Sequence, residues 1–210
     1  MARPTDYPFP QRVMHYLHLI GIITLVFTGF LIHHPPQGTS QSALRVVHVL
    51  VGIIVLVVVL VRIYYAFNGF YRDAHQFALR RDDWRNLPAV IRHYLTLKGE
   101  LPPHSGKYNP LQKLSYLGVV VLVLAQSLTG MALYWPGTFS GLVASLEGLA
   151  GVRASHYALT WLLITFIMVH LYMVISETPD RLRLMLLGQT GGVGSEKEGA
   201  GTGSRQYPLS

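Results

Sequence analysis

The sequence predicts an all-α protein: a four-transmembrane-helix bundle with both termini cytoplasmic and an interfacial helix in the loop between spans two and three. Three observations carry that prediction. The chain is 50% hydrophobic and 13% charged over 210 residues, too apolar for an ordinary soluble domain. Four runs, about residues 13–32, 44–67, 114–135 and 157–175, approach or exceed the roughly 20 apolar residues that cross a hydrocarbon core. The third observation is where the 17 Lys and Arg residues fall. Only Arg45 and Arg153 lie near the first and third connections. Arg3 and Arg12 precede span one, and Arg181, Arg183, Lys197 and Arg205 follow span four. Arg62, Arg72, Arg80, Arg81, Arg85, Arg92, Lys98, Lys107 and Lys113 sit in or beside the middle loop. The positive-inside rule then places both termini and that loop in the cytoplasm. The net charge of +7 is thus a topology signal, and nucleic acid is not an expected partner.

Each element follows in order. Residues 1–11 are proline-rich and are expected to lie on the cytoplasmic surface. Span one keeps His15 and His18 and ends in Ile32-His33-His34-Pro35-Pro36, not in a small-residue cleavage site, so it reads as retained. A short outer connection, 33–43, leads to span two. In the inner loop, 68–113, the stretch 84–97 mixes Trp84, Leu87, Val90, Ile91, Tyr94 and Leu95 with Arg85, Arg92 and His93. That mixture suits a helix lying in the membrane interface, with Pro88 limiting where it starts. The second outer connection, 136–155, holds an apolar segment, 142–149, expected to form a short surface helix. Residues 1–188 read as one four-helix transmembrane domain. Residues 189–210, rich in Gly, Ser and charge, read as a flexible cytoplasmic tail. No internal repeat is evident.

The chain has no cysteine, which excludes disulfides, cysteine-held iron–sulfur clusters and c-type haem attachment. Any redox centre must be held by histidine or by a partner chain. Histidines inside spans are costly and mark function by default. His156 and His170 bracket span four about four turns apart, near 21 Å along the axis, on nearly one face. By the topology above, His48 and His156 share the periplasmic level, and His15 or His18 shares the cytoplasmic level with His170. Two matched pairs fit two stacked haem b groups. Bis-histidine ligation closes both axial positions and favours electron transfer over oxygen chemistry. Gly52, one turn beyond His48, would let a porphyrin edge approach; for it, as for Gly21, Gly29, Gly118 and Gly130, close helix packing is at least as good an explanation. His15 and His18 share a face, so spacing leaves the choice between them open. His33, His34, His75, His93 and His104 read as surface residues. A proton or metal-ion transporter is the rival class. It would place acids within spans, whereas Asp6, Asp73, Asp82, Asp83, Glu100, Glu147, Glu177 and Asp180 lie outside them or at their ends.

These residues resemble the bacterial four-helix di-haem b cytochromes that anchor nickel–iron hydrogenases and formate dehydrogenases, the cytochrome b561/nickel-hydrogenase superfamily. The resemblance covers about residues 7–188. Arg12-Val13-Met14-His15-Tyr16 resembles the family's Arg-x-x-His-aromatic opening, with Tyr where Trp is usual, and selects His15 over His18. Arg45-Val46-Val47-His48 with Gly52 resembles the second-span ligand motif. Arg62-Ile63-Tyr64-Tyr65-Ala66-Phe67 with Gly69 looks like the end of that span in hydrogenase cytochromes. Gly106-Lys107-Tyr108-Asn109 with Gln112-Lys113 is similar to the third-span entrance of formate dehydrogenase gamma subunits. His156, His170 and Leu171-Tyr172-Met173 resemble the fourth span.

The resemblance implies two haem b groups, on His48/His156 and His15/His170. It also implies a menaquinone or ubiquinone site at the cytoplasmic end, formed by Asn109, Gln112 and His170. Helix capping is the competing role for Asn109 and Gln112. The implied partner is the iron–sulfur subunit of a periplasmic hydrogenase or dehydrogenase, and the implied location is the bacterial inner membrane. The chain is then the quinone-reactive subunit of an oxidoreductase complex, with no catalytic residues of its own. Hydrogenase-like, formate-dehydrogenase-like and thiosulfate-reductase-like partners stay open. A stand-alone cytochrome b561-type superoxide oxidase is the alternative; those proteins have short loops, and the 68–113 loop argues against it.

Overall fold

A computed structural model describes residues 8–68, 73–96, 108–177, 182 and 184–186. The chain runs α1 (Phe9–His33), α2 (Gln41–Asn68), a 3-10 turn (Asp73–Phe77), α3 (Arg81–Thr96), α4 (Pro110–Tyr134), α5 (Ser140–Ser145) and α6 (Leu149–Glu177). There is no strand among the described residues. α1, α2, α4 and α6 are long and apolar enough to span a membrane. Their outward faces stay greasy: Ile20, Phe27 and Val121 are all more than 60% exposed. That is the pattern of a bundle whose solvent is lipid, with every backbone polar group satisfied inside a helix. Val55 and Val59 of α2, Val123 of α4 and Leu163 of α6 form the central core, with Ile22 and Leu25 of α1 packed against it.

The bundle is two helical hairpins. α1 pairs with α2, α4 pairs with α6, and α2 joins the pairs by packing on α4. This arrangement reveals a repeat that the sequence reading missed. Gln11-Arg12 and Thr28-Gly29 of α1 recur as Gln112-Lys113 and Thr129-Gly130 of α4, and Arg45-x-x-His48 of α2 recurs as Arg153-x-x-His156 of α6. Apolar filler between these few residues hides the repeat until the helices are paired.

The sequence-derived boundaries change in three places. Each spanning helix starts before its apolar run. The segment 142–149 is not one helix: α5 stops at Ser145 and α6 starts at Leu149. Between them Glu147 (φ 60) and Gly148 (φ 96) turn left-handed, which breaks a helix. His156 therefore sits two turns inside α6 and not at its mouth, the same depth at which His48 sits in α2. Finally, α3 runs through Pro88 and is not started by it. Asp83 Oδ2 accepts from the Arg80 N–H at 2.8 Å at the true start.

The end of the bundle where α1 and α4 begin, here the loop end, is closed by polar clamps. Arg62 grips Asp73 with two hydrogen bonds, 2.7 and 3.2 Å, and Gln11 Nε2 donates to the same carboxylate at 2.9 Å. Lys113 Nζ pairs with Asp83 at 2.9 Å, both side chains about 5% exposed or less. Burial works to raise the Asp83 carboxyl. The Arg80 N–H, the Lys113 hydrogen bond and the charges of Lys113 and Arg80 outweigh it and hold the group below the usual carboxylate range. α3 is thereby tied to α4, and its Val90 and Tyr94 pack on Met173 of α6. Tyr172 also donates to the Tyr94 carbonyl at 3.0 Å. The acids do lie at span ends, as the sequence indicates, but Asp73 and Asp83 are buried structural anchors there. The tail 189–210, His104, Gly69, Gly106 and Lys107 lie outside the described residues.

Candidate haem-binding sites

At the far end of the bundle, α2 and α6 bring His48 and His156 together, ring centroids 6.3 Å apart and planes at 68°. Two metal–imidazole bonds of about 2 Å each, added to the offset of each nitrogen from its ring centre, span about 6 Å. The separation fits one metal centre between two imidazoles. The rings are held alike. Thr28 Oγ1 lies 2.8 Å from His48 Nδ1 and Thr129 Oγ1 lies 2.9 Å from His156 Nδ1. A methyl on Gly29 would meet His48 Cε1 at 3.4 Å, and one on Gly130 would meet His156 Cε1 at 3.2 Å. Both rings line a cavity of about 890 Å³, with Gly52, Leu25 and Val123 deeper in its wall and Arg45 and Arg153 also lining it.

The two halves differ at one level. In the first hairpin the level is apolar, and a methyl on Gly52 would meet Leu25 Cδ2 at 3.8 Å. In the second, the corresponding Gln126 Nε2 donates to Thr160 Oγ1 at 2.9 Å and sits 3.2 Å from His156 Nε2. That nitrogen cannot serve an amide and a metal at once, so Gln126 must turn aside when His156 ligates.

The loop end carries the other predicted histidines in a looser arrangement. His15 lies within electrostatic range of His170 and His18, and His18 within electrostatic range of Arg62. His15 Nδ1 and His18 Nε2 are buried without a hydrogen-bond partner. His18 Nδ1 bonds the Met14 carbonyl at 2.8 Å. His170 stacks on Phe166, centroids 5.9 Å apart. Asn109 is 1% exposed and forms a complete capping box: its Oδ1 accepts from the Gln112 N–H at 2.9 Å and its own N–H donates to Gln112 Oε1 at 3.2 Å. Its Nδ2 donates to Tyr94 OH at 2.9 Å. The capping role weighed from the sequence is therefore present, with the amide occupied on both sides.

Residues 6–188 match the family of prokaryotic cytochrome b561. The chain belongs to that family. It is 30% identical over 200 residues to a probable Ni/Fe-hydrogenase B-type cytochrome subunit of Bradyrhizobium diazoefficiens, covering 84% of this chain and 81% of that one. The protein of the same name from Azotobacter vinelandii is 29% identical (81% and 80% covered). The hydrogenase 1 counterpart from Escherichia coli K12 is 26% identical (80% of each).

A membrane cytochrome of this family carries haem b, and the far-end residues fit that group: two imidazoles at ligating separation, glycines against the rings, and an apolar cavity with two arginines in its lining. At the loop end, the buried unpartnered nitrogens of His15 and His18 fit a metal-binding role by chemistry. Sequence reasoning missed Thr28, Thr129, Gln126 and Thr160. The signal available was the Thr-Gly dipeptide at equivalent depth in spans one and three. Of the other histidines, His33 and His34 are exposed, His33 stacking on Tyr157 at 4.6 Å.

Proposed function

We propose that this cytochrome is the membrane subunit that passes electrons between a periplasmic iron–sulfur partner and the membrane quinone pool. The names of its relatives favour a nickel–iron hydrogenase as that partner among those the sequence left open. The residence is the bacterial inner membrane, with termini and loop end cytoplasmic by the charge distribution. Haem b on His48/His156 and on His15/His170 would supply one-electron carriage across the bilayer. The chain's own work is to hold ligand rings in fixed orientations, exclude water from the far-end cavity, and admit quinone and protons at the loop end. There His170 and Gln112 would face the quinone. Asn109, committed to its cap and to Tyr94, would hold the α4 entrance in place.

The observation that carries this reading is the facing of His48 and His156, each with its Nδ1 already engaged. A pyridine haemochrome assay on purified protein should return about two haems per polypeptide. A value near zero removes the cytochrome function, and a value near one removes the second pair. Hydrogen-dependent reduction of quinone by the chain together with its iron–sulfur partner tests the partner, and absence of that reduction with both haems present overturns the hydrogenase assignment.

A further inference from the structure

The hydrogen-bond network around the far-end rings determines which nitrogen carries each proton. Thr160 Oγ1 donates to the His156 carbonyl at 3.0 Å, so it receives Gln126 Nε2 through a lone pair. That orients the amide, whose other N–H points to His156 Nε2 at 3.2 Å. His156 Nε2 is therefore a lone pair, and Nδ1 bears the hydrogen. Thr129 spends its single hydroxyl hydrogen on the Ala125 and Gln126 carbonyls, both at 3.0 Å, so toward Nδ1 it can only accept. The first hairpin repeats the pattern. Thr28 donates to the Thr24 carbonyl at 2.7 Å, leaving its oxygen to accept from His48 Nδ1–H at 2.8 Å. Both threonines are buried, 5% and 7% exposed, so water does not substitute for them. The arrangement is the same in both halves of the repeat, on helices that share little else.

We propose that Thr28 and Thr129 are paired positioning residues that lock His48 and His156 as Nδ1–H tautomers, present the two Nε2 lone pairs for ligation, and set the reduction potential of the haem held between them. The inference rests on the haem reading above. A hydrogen-bond acceptor on Nδ1–H increases the electron donation of the ligating nitrogen and fixes its plane. More donation favours the ferric state, so two such acceptors hold the potential down. A hydroxyl already donating to a helix carbonyl is a moderate acceptor and fully neutral, so it adds no charge to a cavity whose lining is mainly apolar.

The test uses the full-length protein in membranes or detergent, with Thr28→Val, Thr129→Val, the double variant, and Thr→Ser at each position. Potentiometric titration of the visible spectrum and low-spin ferric electron paramagnetic resonance are read alongside haem content. Each valine, nearly isosteric, should raise the potential of one haem only and shift its resonance position, the double variant shifting further, while serine returns both readouts to the parent values. Should valine variants lose the far-end haem outright, retention with parent potential in the serine variants supports the proposal. Loss in the serine variants too overturns it, because the hydroxyl would not be the operative group. Unchanged potential and resonance in the double valine variant, with two haems bound, also overturns it. If the unsubstituted protein binds no haem, it is the cytochrome reading that fails.

Discussion

The two ends of the bundle carry the same kind of residue and treat it differently. At the far end, two imidazoles stand 6.3 Å apart with every Nδ1 engaged by a threonine and glycines backing the rings. At the loop end, His15, His18 and His170 share α1 and α6, and two ring nitrogens are buried without partners. Around them lie ion pairs, a capping box and stacked aromatics such as Phe77 on Tyr108, 5.4 Å apart. Ligand rings preorganised by neutral hydroxyls in a mainly apolar cavity suit electron transfer, where the rings need not move. A site bordered by titratable clamps and docked loop elements suits exchange of a quinone and of protons. Rigidity and access are separated along α6, which carries His156 toward one end and His170 toward the other.

The largest expected effect breaks the comparison outright. His48→Ala or His156→Ala should remove the far-end haem and leave the other, so the haemochrome assay drops from about two per chain to about one. His15→Ala or His170→Ala should do the reverse. If His18→Ala removes a haem while His15→Ala leaves both, the loop-end ligand is His18.

Next comes the clamp. Removing one partner of a buried ion pair leaves an uncompensated charge and costs about 3–5 kcal/mol. Asp83→Ala should therefore release α3 from α4, seen as faster amide exchange across Arg81–Thr96, with the far-end haem spectrum unchanged. A far-end spectrum that moves with it would show the two ends to be coupled.

A smaller effect is expected at Asn109. Loss of an N-cap costs about 0.5–2 kcal/mol. Asn109→Ala should slow quinone reduction while both haems stay bound and reducible by the partner. Quinone reduction at the parent rate would show that the α4 entrance does not depend on this cap, and haem loss would show that the cap supports the loop-end haem as well.

The mildest probe is pH. The Asp83 carboxyl is held below its ordinary value, so its stabilising contribution is complete above the unfolded carboxylate value of about 3.9 and is lost as pH falls through the lower folded value. Amide exchange in α3, corrected for its intrinsic pH dependence, should be flat from neutral pH to about 4 and rise only below that. Release of α3 near pH 6 would mean that another group controls the docking.

The amino-acid sequence by itself determined the spans, the segregation of charge, and the depths of His15, His48 and His170; His156, read at the mouth of its span, was set two turns inside α6 only by the structure. Those follow from hydropathy, from counting Lys and Arg, and from the fixed rise of 1.5 Å per helical residue. It also located Asn109 and Gln112 at a helix entrance. Only the tertiary structure decided which side chains meet those residues. A spanning helix is apolar nearly all round, so periodicity does not tell which face turns inward or toward which neighbour. That is why Thr28 was invisible as the partner of His48, Thr129 as that of His156, and Tyr94 as the acceptor of the Asn109 amide. The Asp83–Lys113 pair joins residues on separate elements across a loop, and local pattern carries no record of such a contact. Hydropathy and helical rise fix depth, whereas azimuth and pairing come from side-chain packing between helices.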